Sequence, residues 1–188
     1  MSDIVKPGAG ILFMKVGTHA QESLDDIIER KRKEIQETGF ALWGYGGNTC
    51  HPLTMVQPFA QDSVDQNGAI YLCMEPMVSK HFAVPQRAEE FSKDGATWDP
   101  IPPTINVRGS RFALAIGNLD NADFSLPLAQ TEVAIGMSMG RPGDRYISGR
   151  VDKGCLRVLE HPIAGEEPRD VHIGLSAKLV EPYAVLLR

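Results

Sequence analysis

The opening of the chain leaves it the fewest folds, because residues 11–45 read as a strand, a helix and a strand in immediate succession. Ile11 to Val16 is a short unbroken apolar run, as expected of a buried strand. Ser23 followed by Asp26 is a capping-box start for a helix over Leu24 to Thr38. Leu24, Ile27, Ile28 and Ile35 then share one face, while Glu29–Lys33 and Lys33–Glu37 form i,i+4 pairs on the remainder. The charge-rich IERKRKE segment reads as a solvated helix face, with Lys31 snorkelling from the edge of the apolar stripe, and a basic ligand patch is the second reading. Gly39 stands where a helix end favours left-handed backbone, and Phe40 to Tyr45 returns the chain to a strand.

Further along, Leu53 to Ala60 reads as a short helix interrupted at Pro58, and Asp62 to Gly68 as a polar loop. Ala69 to Met74 is a strand, Pro85 opens a helix through Phe91, and Trp98 to Pro103 forms a stiff extended connector. From Ile105 the pattern turns to strands: Arg111 to Gly117, Thr131 to Gly136, Tyr146 to Val151, Cys155 to Leu159, Val171 to Leu179 and Tyr183 to Leu187. Turn residues fill Asn118 to Asp123 and Gly140 to Asp144, and Lys153-Gly154 reads as a tight hairpin. No internal repeat or long linker divides the chain. The expectation is one mixed α+β domain over residues 1–188. A strand-helix-strand part, about residues 10–95, packs on a mainly antiparallel curved sheet or partial β-barrel, about 104–188.

The early ILFMKVG strand, the helix after it, the WGYGG turn and the many later short strands together resemble the PUA-like domains, the group that includes ASCH and EVE modules. The resemblance implies a compact β-barrel-like fold used to bind nucleic acids or modified nucleobases. It assigns no functional residue to a position in this chain.

A formal net charge of −5 argues against a whole-surface footprint for duplex DNA, whose non-specific affinity comes from Lys and Arg neutralising phosphates, and leaves room only for a local basic patch. Cys50, Cys73 and Cys155 are odd in number and far apart, which suits a reducing cytoplasm better than a disulfide framework or a paired metal site. No apolar run reaches membrane-spanning length, so a membrane is not expected among the partners.

Residues 39–59 gather reactive, aromatic and glycine residues most densely. Trp43 and Tyr45 share strand parity, so they either flank a planar ligand or build the core together. Asn48 adds polar chemistry in the glycine turn. Arg141, Arg145 and Arg150, with Lys153, Arg157 and Tyr146 nearby in sequence, either clamp phosphate or form the solvated face of a sheet. The leading expectation is a non-catalytic binding module for a nucleobase, a nucleotide or single-stranded nucleic acid. It would act through Trp43, Tyr45, Asn48, Arg141, Arg145 and Arg150, with no cofactor and no metal.

One alternative is a cysteine-dependent hydrolase or transferase with Cys50 as nucleophile. Its base would be His51 or, since neighbours in an extended segment point apart, His19, His81 or His172. Another is a structural or assembly subunit whose second-half sheet pairs with another chain, a homo-oligomer included. Cys50, His51, Cys73 and His81 are zinc-ligand types without zinc-site spacing. His81-Phe82-Ala83 and His172-Ile173-Gly174 lack the hydroxyl residue that paired phosphoesterase motifs need, and neither G-x-G-x-x-G nor a Gly-Lys-Ser/Thr phosphate loop occurs.

Overall fold

Ile11, Leu12 and Phe13 are all fully buried, so strand β1 (Gly10–Val16) is covered on both faces, and the rest of the fold is arranged to cover it. A computed structural model describes residues 2–45, 51–149 and 151–188. On one face Leu12 and Val16 pack with Ile27 of α1 (Leu24–Thr38) and with Val56 and Phe59 of α2 (Leu53–Asn67). On the other, Ile11 and Phe13 meet Leu126, Leu156 and Ile173. An apolar run without alternation is what a strand between two cores requires.

Among the described residues the remaining strands are β2 (Ala41–Gly44), β3 (Tyr71–Pro76), β4 (Glu90–Ser92), β5 (Asp99–Pro100), β6 (Phe112–Ile116), β7 (Asp120–Pro127), β8 (Thr131–Val133), β9 (Lys153–Val158) and β10 (Asp170–Leu187). They form one mixed sheet with the path β2-β6-β10-β3-β1-β9-β8, to which β4 and β7 attach beside β10, with β5 beside β4. The sheet is open, with β2 and β8 at the ends of the path. Of the paired strands described, β1 and β3 run parallel, in the register Val16 to Pro76, and the others run antiparallel. This is the expected α+β class with a mainly antiparallel sheet.

Helix α1 has the predicted bounds. Ser23 Oγ accepts from the Asp26 N–H at 3.2 Å, and Gly39, at φ 86°, sends its N–H to the Ile35 carbonyl. Helix α2 corrects the expectation at Pro58, because it runs unbroken from Leu53 to Asn67. Val56, Phe59, Ala60 and Ser63 keep one buried stripe across the proline, and Gly68 closes the helix at φ 80°. Gly10 in β1 makes room for this packing, since a Cβ there would lie 2.9 Å from the Phe59 ring.

Other local readings also change. No helix starts at Pro85: Arg87 bridges Arg108, and Glu90–Ser92 pairs with the end of β10. Residues 120–127, read in part as turn, form β7, because β10 supplies a partner along Leu126–Asn121. Tyr146 closes a short helix, α3 (Gly143–Tyr146), instead of opening a strand, and Lys153-Gly154 lies inside β9 with no hairpin there. The two strands expected at 171–179 and 183–187 are one, β10, whose register shifts between Leu179 and Ala184 so that its first part pairs β7 and β3 and its second part β6 and β4. Trp98 anchors the connector, with the Arg188 guanidinium 4.2 Å over its ring. No helix among the described residues is long and apolar enough to cross a membrane.

Candidate functional site

Parallel strands leave a crevice beyond their carboxyl ends, where the loops that follow them must diverge. Here the loops after β1 and β3 enclose a cavity of about 380 Å³. Gly17 permits that approach: Met77 N–H bonds to the Val16 carbonyl at 2.7 Å, and a Cβ on residue 17 would lie 2.7 Å from the Met77 carbonyl. Val16, Ile27, Leu42 and Trp43 give the cavity an apolar floor. The segment after β5 closes one side, and Gly109, at φ 70°, brings it against His19.

Two histidines, one from each loop, meet at the rim. The rings of His19 and His81 stack with centroids 4.7 Å apart and planes 6° from parallel. A carbonyl only accepts, so His19 Nε2–H donates to the Arg108 carbonyl at 3.0 Å and leaves Nδ1 as its acceptor. His81 Nδ1 accepts from the Ala20 N–H at 3.0 Å, which leaves Nε2 to carry the proton of the neutral ring. The turn between His19 and Glu22 is closed by reciprocal backbone bonds of 3.0 and 2.9 Å, with Ala20 at φ 51° and Gln21 at φ 66°. Positive φ at both central residues is the type I′ pattern that glycine and asparagine favour, so Ala20 and Gln21 occupy it at a cost. Bonds from Gln21 to the carbonyls of His81 and Phe82 hold it in place.

The inner wall is unusual for a helix. The most buried side chains of α1 are Ile27, Lys31 and Glu34, at i, i+4 and i+7. The expectation that Lys31 snorkels to solvent is therefore corrected: the residue is 3% exposed. Glu34 accepts from Arg30 Nη1 at 2.8 Å, Lys31 Nζ at 2.9 Å and the Asn106 N–H at 3.0 Å. The Asn106 carbonyl in turn accepts from Lys31 Nζ at 2.7 Å and Arg30 Nη1 at 2.9 Å. Both backbone groups of Asn106 are thus clamped to α1, while its side-chain Oδ1 is buried without a partner. Burial pushes the Lys31 amine down to about 8, against the opposing pull of Glu34.

Six cationic side chains and one carboxylate, Asp152, line this cavity, although the chain as a whole is acidic. Glu22 and Glu34 offset Arg30 and Lys31, Glu75 stands 4.0 Å from Lys15, and Asp152 pairs with Lys153 at 3.0 Å. Lys80 and Arg108, beside the histidine pair, have no carboxylate partner among the described residues. The rim therefore keeps a local positive charge.

The residues singled out from sequence fall in several places. Trp43 and Tyr45 project to one side as their parity required, and that side is the core: Tyr45 is fully buried and Trp43 is 5% exposed, with Trp43 also reaching the cavity floor. Asn48, Cys50 and Arg150 lie outside the described residues. Arg145 is held by Glu166, with Nε to Oε2 at 2.8 Å and Nη2 to Oε1 at 2.7 Å. Arg141 follows β8, at the opposite end of the strand path from Trp43 on β2, and neither arginine lines the cavity. His51 is buried against Tyr146, with ring centroids 6.2 Å apart, and burial lowers its pKa. Cys73 is fully buried on the far side of β3, where desolvation pushes its thiol up to about 12. Among the described residues no group of three or more His, Cys, Asp or Glu is placed to hold a metal ion.

The structure thus assembles a different set from the one the leading sequence expectation named: His19, His81, Lys80, Arg108, Lys31 and Asn106, with Trp43 common to both and His19 and His81 suggested from sequence only as alternative bases for Cys50. The signal available in sequence was a short histidine-ended segment directly after each of two apolar strands, GTH after β1 and MVSKH after β3. Comparison with protein-family models, curated proteins and solved structures finds no match to this chain.

Proposed function

We propose that the protein is a binding module for a mononucleotide-sized ligand, a planar ring carrying an anionic group, seated in the cavity beyond β1 and β3. The observation that carries this reading is the convergence of a stacked histidine pair with two uncompensated cations over an apolar floor. The ring rests against the exposed edge of the His19–His81 stack and the Trp43 side of the floor, and the phosphate meets Lys80 and Arg108. Nucleotide-sized ligands occupy pockets of about 300–1,000 Å³, so the volume favours one nucleotide over a strand of nucleic acid. The likeness to PUA-like domains points to the same ligand class. The buried thiol of Cys73 accords with a reducing cytoplasm.

Replacing the two cations tests this with little risk to the fold, since Lys80 is exposed and Arg108 half-buried. Isothermal titration calorimetry of adenosine monophosphate against the Lys80→Ala, Arg108→Ala double variant is expected to show binding at least about tenfold weaker than wild type, a loss of roughly 1.4 kcal/mol. Equal affinity in the two proteins counts against the proposed phosphate position.

A further inference from the structure

A lysine on the buried stripe of a helix is out of place unless its amine is used there. Lys31 Nζ has three N–H donors when protonated; Glu34 Oε2 and the Asn106 carbonyl take two, and the third has no protein partner among the described residues. The same side chain lines the cavity. Glu34, which also accepts from Arg30 and from the Asn106 N–H, stands 2.9 Å from the amine, within reach of its proton. The buried Asn106 Oδ1 offers an unused acceptor on the same wall.

We infer that Lys31 is a covalent capture site for a carbonyl group, condensing with the aldehyde of an anionic ligand in this cavity to form an imine. Glu34 takes a proton from the ammonium, and the freed amine lone pair adds to the carbonyl carbon while the C=O π pair moves to oxygen. A proton passes from nitrogen to that oxygen, giving a hydroxyl. Glu34 returns its proton to the hydroxyl, which leaves as water as the nitrogen lone pair closes a C=N bond. Aldehyde and ammonium become protonated imine and water, and no oxidant or reductant is consumed. An ordinary lysine with a pKa near 10.4 is about 0.04% neutral at pH 7, whereas an amine near 8 is about 10% neutral, so the attacking form is far more abundant at Lys31.

The inference rests on this cavity being the ligand site but not on the ligand being a nucleotide. Its test uses pyridoxal 5′-phosphate as an anionic aldehyde probe on the full chain at pH 8. Sodium borohydride reduction follows, and labelled peptides are quantified by mass spectrometry. Lys31 is expected to be labelled at least about tenfold faster than exposed Lys33 on the same helix, with a rate that rises with pH and levels off above about 8. Pyridoxal without the phosphate should label it more slowly.

The Lys31→Arg variant, which keeps a cation for Glu34 but cannot form an imine, should retain the wild-type circular dichroism spectrum and lose the fast-forming part of the imine absorption band, leaving only the slower signal of the exposed lysines. An unlabelled Lys31 in wild-type protein whose exposed lysines are labelled overturns the inference, even if nucleotides bind. Labelling of Lys31 that adenosine monophosphate does not slow supports the imine while counting against the nucleotide reading.

Discussion

His19 and His81 stack at 4.7 Å, each held by a backbone group from a different loop, and this contact ties the end of β1 to the end of β3. The pair depends on the 19–22 turn, whose central residues are neither glycine nor asparagine. Left-handed backbone costs an ordinary residue about 1–2 kcal/mol, and glycine's extra freedom in the unfolded chain returns roughly 0.5–1 of that. Ala20→Gly is therefore expected to leave stability unchanged or raise it by up to about 1 kcal/mol, while β-branched Ala20→Val lowers it by about 2 kcal/mol. Urea denaturation of both variants reads this, and an Ala20→Val protein as stable as wild type contradicts the turn geometry.

Glu34 is 2% exposed and accepts from three donors, so its removal leaves Lys31 buried without its counter-charge. Glu34→Gln is expected to cost about 3 kcal/mol in a urea titration. A cost under about 1 kcal/mol means that the wall is hydrated.

Lys31 also sets a pH dependence. Its folded-state pKa, about 8, lies below the ordinary 10.5, so the unfolded chain binds the extra proton between these values. The stability tied to this group is present above about pH 10.5 and is lost as pH falls through 8. Compared with Lys31→Met, the wild-type melting temperature should improve steadily from pH 8 to 10.5. A difference that stays flat over that range excludes the lowered pKa.

Cys73 and Cys155 are both buried, and the Cys73 thiol stays protonated far above neutral pH. Iodoacetamide on the native protein at pH 8 should spare both and modify them only after denaturation, so any fast native labelling belongs to Cys50. Native labelling of Cys73 contradicts its place in the far-side core.

Where local residues decide the structure, the sequence was readable. Ser23 and Gly39 bound α1 by their own side-chain and backbone chemistry, and the apolar run of β1 needs no partner to be recognised. Where a distant partner decides, it was not. Pro58 stays inside α2 because β1 and β10 pack along the helix, and β7 is a strand because β10 lies beside it. The cavity belongs to the second kind. His19, His81 and Arg108 sit in three separate loops, and only the parallel pairing of β1 with β3 brings the first two together. A charge on a helix usually faces solvent, and the burial of Lys31 follows instead from the backbone of Asn106, which sequence periodicity does not see.

The central claim is that a nucleotide binds beside the stacked histidines. The most direct measurement is NMR of the histidine imidazole resonances during titration with adenosine monophosphate, with inorganic phosphate as the control. Saturable shifts at His19 and His81, with His161 and His172 unmoved and with phosphate alone giving smaller changes, are the predicted result. No saturable shift, or shifts confined to His161 and His172, would contradict it.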